Sequence, residues 1–349
     1  MQYPAVLKKR CTGMKRAPSD DMDFLKVAAI GKKEERGFEL KELSFSQQRF
    51  SNIAIAGETG SGKSTIMKII AGLVQPDTGE VYFEGQRVKG PDEKLVPGHP
   101  GIAYLSQQFE LAGFLRVEQV LKYANTLSPQ EAESIIGICR IEHLLKRKTD
   151  QLSGGERQRI AIARLLISAP RLLLLDEPFS NLDIVHKNVL RAVIHDIGES
   201  LKITCMMISH DPQDTLSWAD DILVIKGGEL LQQGSPEQIY RQPKSAYIAG
   251  LFGKFNLLPP TKAKALAALS SISTNGKNLL IRPEAFRIVT AADGGLEGIV
   301  KRSTFFGSYY EVEVSVQNKI MITVRTDTER PARGETVYLQ LPQEAVWFI

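Results

Sequence analysis

The nine residues Gly57–Thr65, GETGSGKST, constrain this chain more than any other stretch. They fit G-x-x-x-x-G-K-[ST], with Gly57, Gly62, Lys63 and Ser64 at the defining positions. Before them, Asn52–Ala56 is a short apolar run of the kind that forms a buried strand. After them, Ile66, Ile69, Ile70 and Leu73 recur at helical spacing on one face. A glycine-rich loop between a strand and a helix N-terminus is a phosphate cradle. Its glycines let the backbone approach an anion, its amides turn inward, and the helix dipole adds partial positive charge. Gly57, Glu58, Thr59, Gly60, Ser61, Gly62, Lys63, Ser64 and Thr65 are therefore candidate nucleotide-binding residues. Lys63 supplies a full charge for β- and γ-phosphates, and the Ser64 hydroxyl is a ligand for Mg²⁺.

A second helix follows QLSGGERQR, with Ile160, Ala163 and Ile167 on one face. A Ser-Gly-Gly opening a helix is another anion site for the same reasons. The chain already has one phosphate loop, so a second phosphate-facing element makes sense if it serves a nucleotide held by another subunit. Next comes RLLLLDEP, in which four leucines fit a strand covered on both faces, as in a parallel sheet. Acids at the carboxyl end of such a strand sit where α/β sheets place their ligands. There Asp176 reaches Mg²⁺, directly or through water, and Glu177 orients and polarises an attacking water. Ile203–Ser209 is another buried strand, and His210 follows it at the same edge. His99, His143, His186 and His195 have no such placement and are read as surface or partly packed.

The apolar share of 43% and charged share of 24% are ordinary for a globular protein, and 349 residues suggest two or three domains. Lys8, Lys9, Arg10, Lys15 and Arg16 against Asp20 and Asp21 give residues 1–21 a net +3 of the chain's +4. The remainder carries no global nucleic-acid signature. Cys11, Cys139 and Cys205 lack metal or redox spacing, which fits a reduced cytosolic compartment. No apolar run approaches the ~18 residues that span a bilayer. Residues 1–21 lack the apolar core of a secretory signal and are read as a disordered extension. Patterned sequence begins at Phe24, so Met22 is the expected native start; a cellular product beginning at Met1 would remove that expectation.

From Phe24 to Ala56 the chain reads as β structure, and Glu80–Glu84 and Ile102–Leu105 as strands, the latter delivering Gln107. Val117–Lys148 reads as helical, with Ser128 as N-cap and Pro129 at the first helical position. Ile222–Ile225 and Leu230–Leu231 flank a Gly-Gly turn, and Ser235-Pro236-Glu237-Gln238 opens a short helix. After Asn256 an Ala/Leu-rich stretch leads into short strands and turns. Tyr310, Val312, Val314 and Val316 alternate with Glu311, Glu313, Ser315 and Gln317, the period of a half-buried strand. Several such strands suggest a small barrel.

In this order, GETGSGKST, LSGGERQR, LLLLDEP, SNLD and ISHD resemble the motifs of the ATP-binding subunits of ABC transporters, over residues 24–250. The end of the chain, with IRPEAFRIV and FFGSYYEVEV, resembles the TOBE-type accessory domain on ATPases of bacterial importers for maltose, iron, polyamines, sulfate or molybdate. The resemblance implies an α/β P-loop NTPase cassette, a RecA-like core with antiparallel β and helical subdomains, plus a small C-terminal all-β, OB-like barrel. The expected domains are an extension over 1–21, the nucleotide-binding domain over 22–250 with its helical subdomain at about 108–165, a linker over 251–278 and the barrel over 279–349.

By the same resemblance, Ser153, Gly154 and Gly155 cap the γ-phosphate bound by a partner subunit. Asp176 is the magnesium acid, Glu177 the catalytic carboxylate, Asp183 a residue of the loop crossing the dimer interface, and His210 the switch histidine. Gln107 links Mg²⁺ and the attacking water to membrane subunits; the adjacent Gln108 leaves that register open. The implied cofactors are ATP and Mg²⁺. The implied partners are a second copy in a head-to-tail dimer, separate integral membrane permeases and a solute-binding protein, with no nucleic acid. The implied location is the cytoplasmic face of the inner membrane, and the implied work is import of a small ion or polar solute such as ferric iron, polyamine, sulfate or molybdate. The permease docking surface is expected around Phe109–Val120, with Leu111, Phe114 and Leu115. The family stacks adenine on an aromatic about twenty residues before the phosphate loop. Lys26–Gly37 contains none, and Phe38 is the nearest. Soluble family members in DNA repair carry a long insertion between the phosphate loop and LSGGE; here about a hundred residues separate them. Translation types carry two cassettes per chain; here there is one.

Overall fold

The computed structural model describes residues 23–34, 37–108, 111–262, 276–328, 330–342 and 345–349. The expectations for residues 1–21, for Phe109 and for most of the Ala/Leu-rich stretch lie outside these. The chain divides into two compact units at Pro236/Glu237.

In the first unit, β1 (Leu25–Lys33) pairs antiparallel with β2 (Glu39–Gln47). The phosphate loop runs from β3 (Ile53–Ala56) into α1 (Lys63–Ile70). Then come β4 (Thr78–Phe83), β5 (Gln86–Arg87) and β6 (Ile102–Leu105). The helical segment is α2 (Val117–Ala124), α3 (Pro129–Ile138) and α4 (Gly154–Leu166). It is followed by β7 (Leu172–Asp176), α5 (Ile184–Leu201), β8 (Thr204–Ile208), α6 (Pro212–Trp218), β9 (Asp221–Lys226) and β10 (Glu229–Gly234). Among the described residues two sheets form. One is antiparallel, in the order β2-β1-β4-β5; the other runs β10-β9-β3-β8-β7-β6, parallel except for β10.

The parallel sheet explains its own sequence. Every residue of β7 and β8 is buried, as both faces are covered. Alternate side chains go to opposite cores. Leu172, Leu174, Met206 and Ile208 join Ile66, Met67, Ile69 and Ile70 of α1 in one cluster. Leu173, Leu175, Cys205 and Met207 join Ile160, Ala163 and Leu166 of α4 and Val193 and Ile197 of α5 in another. The phosphate-loop helix and the helix opened by Ser153 therefore cover opposite faces of one sheet.

The second unit starts with α7 (Pro236–Arg241) and α8 (Ala246–Leu251). Strands β11 (Asn256–Leu258), β12 (Leu279–Ile281) and β18 (Val346–Phe348) form one antiparallel sheet. A second antiparallel sheet, in the order β13-β17-β14-β15-β16, contains β13 (Arg287–Val289), β14 (Leu296–Phe305), β15 (Tyr310–Val316), β16 (Ile320–Thr326) and β17 (Thr336–Gln340). Val312, Val314 and Val316 of β15 are buried while Glu311, Glu313 and Ser315 are only half-buried, as the alternation predicts. The sheet curls into a half-barrel, consistent with an OB-like domain.

Within the second unit, Arg282 joins the first helices to the strands that follow. Its buried guanidinium donates to the carbonyls of Tyr240, Ala249, Gly253 and Lys254, with distances of 3.0–3.3 Å, and lies over the Tyr240 ring. The side chain of one residue after β12 thus ties both short helices to the strands. Replacing it strips a partner from the buried Ala249 carbonyl, at about 1–3 kcal/mol, and from the part-buried carbonyls of Tyr240, Gly253 and Lys254. Arg282→Ala is expected to lower the melting temperature of the full chain by several degrees, measured by calorimetry. An unchanged transition would show that the helices are held by other contacts.

Candidate active site

The loop after β3 is shaped by glycines that no other residue replaces without strain. Gly57, Gly60 and Gly62 have φ of 154°, 82° and 95°. A Cβ on Gly57 would lie 2.1 Å from the Ile225 carbonyl oxygen, and one on Gly62 would lie 2.4 Å from the Phe38 ring. The Lys63 Nζ donates to the carbonyls of Gly57 at 2.9 Å and Glu58 at 2.8 Å, so the lysine folds back over its own loop. Burial lowers its pKa from the ordinary lysine value, while Glu177, Asp176 and Glu58 oppose that shift. Ser61 Oγ is buried with no hydrogen-bonding partner. Thr65 Oγ1 donates to Glu34 at 3.1 Å. Phe38, the nearest aromatic upstream, is half-buried with its ring against Gly62.

Neighbouring parallel strands bring the remaining groups to the same edge. Asp176 ends β7, is 3% exposed, and accepts from the Tyr104 phenol of β6 at 2.8 Å. Burial first, then that hydrogen bond, pushes the Tyr104 phenol above its ordinary range. Glu177 has φ of 49°, a conformation L-residues adopt at a cost of about 1–3 kcal/mol. It is held there from both sides. Its amide donates to the Ile208 carbonyl at 3.1 Å, and its own carbonyl accepts from the Ser180 amide at 3.2 Å and hydroxyl at 2.9 Å. Its Oε2 accepts from Gln107 Nε2 at 3.1 Å and lies 3.6 Å from His210 Nδ1. Gln107, Glu177 and His210 thus converge, each from beyond the end of a different strand.

Behind His210 stands an ion network that sequence reasoning missed. Asp214, 2% exposed, accepts from Ser209 Oγ at 3.0 Å, from Lys187 Nζ at 3.0 Å and from Arg191. Lys187 also pairs with Asp211. The two residues flanking His210 are therefore tied to α5, whose N-terminus Asp183 caps by accepting from the Val185 and His186 amides. His186, read from the sequence as unplaced, has Nδ1 2.6 Å from Asp183 and its ring against Gly155. Charge on a neighbouring residue cannot be read from a linear pattern when the partner is more than twenty positions away.

Ser153, Gly154 and Gly155 are not at the loop of Gly57–Thr65; they open α4 on the other face of the sheet. Ser153 and Glu156 cap α4 reciprocally, and Gln158 donates to the Pro178 carbonyl, binding α4 to the turn after β7. Ser153 and Gly154 stay exposed at the start of α4, whose first amides have no intrahelical acceptor.

Space at Gly57 gives a direct check. Gly57→Ala, forced against the Ile225 carbonyl, is expected to lower nucleotide affinity at least about tenfold in equilibrium binding, from strain of about 1–3 kcal/mol. Unchanged affinity would mean that the loop relaxes freely.

The sequence model for ABC transporters matches residues 40–180, and that for the TOBE domain matches residues 279–349. The sulfate/thiosulfate import ATP-binding protein CysA of Synechocystis sp. is 30% identical over 318 residues, 86% of this chain and 88% of that protein. The spermidine/putrescine import ATP-binding protein PotA of Clostridium acetobutylicum is 30% identical over 91% of this chain and 94% of its own length. Among solved structures, cbiO1 of Clostridium perfringens, part of an ABC transporter complex, is 25% identical with a TM-score of 0.55, covering 63% of this chain and 91% of that one. A dimeric ATP-binding cassette in a post-hydrolysis state with ADP and phosphate is 27% identical with a TM-score of 0.52, covering 61% and 98%. With the loop, the acids and the accessory sheet in place, this chain belongs to the ABC transporter family, as an importer-type ATP-binding ATPase subunit carrying a TOBE domain.

Proposed function

We propose that this protein hydrolyses ATP between two copies of itself to drive import of a small ion or polar solute through separate membrane permeases. The observation that carries the two-copy reading is the sheet itself. The helices that follow the phosphate loop and Ser153 cover opposite faces, which supports a reading in which one chain carries half of each of two sites. A second copy in head-to-tail arrangement would bring Ser153, Gly154 and Gly155 to the nucleotide on the first chain's loop. Asp183 would lie at that interface, where its contact with His186 joins it to the Gly155 side.

In this reading Gly57–Thr65 cradle the phosphates, with Lys63 exchanging its own loop carbonyls for β- and γ-phosphate oxygens. Glu177 accepts a hydrogen bond from the attacking water and aligns it in line with the leaving group. Gln107 and His210, which both face Glu177 Oε2, position that carboxylate and sense the γ-phosphate. Phe38, packed on Gly62, is the candidate to flank the base in place of the absent upstream aromatic.

The donors suit magnesium. Ser64, Asp176 and Gln107 offer hydroxyl, carboxylate and amide oxygens, hard ligands for a hard cation. No group of three or more His, Cys, Asp or Glu residues able to hold a metal occurs among the described residues. One carboxylate with substrate phosphates is the usual arrangement for this ion. When bound, Mg²⁺ neutralises charge on the phosphates.

No helix among the described residues is long and apolar enough to cross a membrane. The proposed location, peripheral on the cytoplasmic face against permease subunits, rests on the likeness to import ATP-binding proteins. A groove of about 800 Å³ includes Leu73, Leu95, Val96 and His99, with Leu95 fully exposed. It joins Phe114, 80% exposed, as the proposed permease contact; Leu111 instead packs partly into the core. A solute-binding protein that delivers the solute belongs to the same proposal. Relatives named for sulfate, polyamine and ferric iron import support a small polar or ionic solute.

Glu177→Gln is expected to retain ATP binding, lose hydrolysis at least about a hundredfold and accumulate an ATP-dependent dimer on size exclusion; near-normal turnover would overturn the role of Glu177. Ser153→Arg is expected to bind ATP as a monomer but fail to form that dimer. Loss of monomer binding would contradict action on a partner's nucleotide.

A further inference from the structure

The register of two strands places a phenol on the proposed magnesium acid. Tyr104 of β6 pairs with Leu174 of β7 in parallel register. Side chains alternate along a strand, so Asp176, two residues beyond Leu174, projects to the same face as Leu174 and Tyr104. Ile102, Tyr104, Leu172 and Leu174 pack into one core, the one covered by the phosphate-loop helix. The Tyr104 hydroxyl reaches diagonally across and donates to Asp176 Oδ2 at 2.8 Å. Asp176 is 3% exposed, and Lys63 is within Coulombic reach of it.

We propose that Tyr104 is a positioning residue that locks the rotation of the Asp176 carboxylate, engaging Oδ2 and leaving the other oxygen for the hydrated divalent cation that accompanies the nucleotide. The proposal rests on the reading of Asp176 as the cation's acid. A carboxylate at a strand end is free to turn about its last bond unless one oxygen is held. A buried donor that holds it fixes the direction of the remaining lone pairs, which is what partners of metal-binding carboxylates commonly do. The phenol also supplies hydrogen bonding that a buried carboxylate needs without adding a charge beside Lys63.

The test uses the full chain carrying Glu177→Gln, so that no turnover occurs, with and without Tyr104→Phe. A fluorescent ATP analogue is titrated first in excess chelator, then at increasing Mg²⁺. The phenylalanine keeps the ring and its packing, so affinity in chelator is expected to be unchanged, which shows an intact phosphate loop. The Mg²⁺ concentration giving half of the metal-dependent gain in binding is expected to rise about tenfold. The same half-saturating concentration in both proteins would overturn the proposal and leave Tyr104 as a core residue. Absence of any Mg²⁺ dependence in the Glu177→Gln parent itself would overturn the cation reading of Asp176, and the proposal with it. Loss of binding in chelator on Tyr104→Phe would also overturn it, since the phenol would then support the loop rather than the acid.

Discussion

A triphosphate carries charge that must be met without flooding the protein interior with unpaired cations, and the junction of β3, the glycine loop and α1 meets it. Inward amides and a helix terminus provide diffuse positive potential, and Lys63 adds one full charge where burial already disfavours it. Asp176 at the end of β7, two strands away in the sheet, and Glu177 just beyond it oppose that effect of burial. Loop, acids and lysine are therefore one electrostatic unit, and the parallel sheet keeps their carboxyl ends in a row.

That sheet also sets where α1 and α4 can lie. Because alternate side chains of β7 and β8 feed two cores, α1 and α4 are held apart on opposite faces. The start of α4 carries the small, exposed Ser153 and Gly154. Links across the sheet end run through Gln158 to Pro178, and from α5 through Lys187 and Arg191 to the residues flanking His210. These contacts join α4 to the turn that follows Glu177, and α5 to the residues on either side of His210.

Motifs whose chemistry is local were legible in the sequence. Gly57–Thr65 announces its loop because glycine is required at fixed offsets, and the four leucines before Asp176 announce a doubly covered strand. The alternation from Tyr310 to Gln317 identified an antiparallel strand, though not that its sheet stops at a half-barrel order. Pairings over long separations were not legible. Tyr104 reads as one more apolar strand residue until the register with β7 is known. Asp214 drew no reading from the sequence, and Arg282 only one as part of a short motif, because their partners are distant in the chain. The aromatic question stayed open for the same reason, since Phe38 meets Gly62 only after the chain turns back along β2.

The central claim is that each nucleotide is enclosed by the loop of one copy and the Ser153 segment of another, and mixed copies test it most directly. Two differently tagged proteins, both carrying Glu177→Gln, are prepared, one with Lys63→Ala and the other with Ser153→Arg. Each alone lacks a complete site in any pairing with itself, whereas a mixed pair contains one intact site, with the loop from one copy and the Ser153 segment from the other. The account predicts ATP-dependent capture of one tag by the other only in the mixture. Equal ATP-dependent self-association of either variant, or none in the mixture while both remain folded, would contradict it.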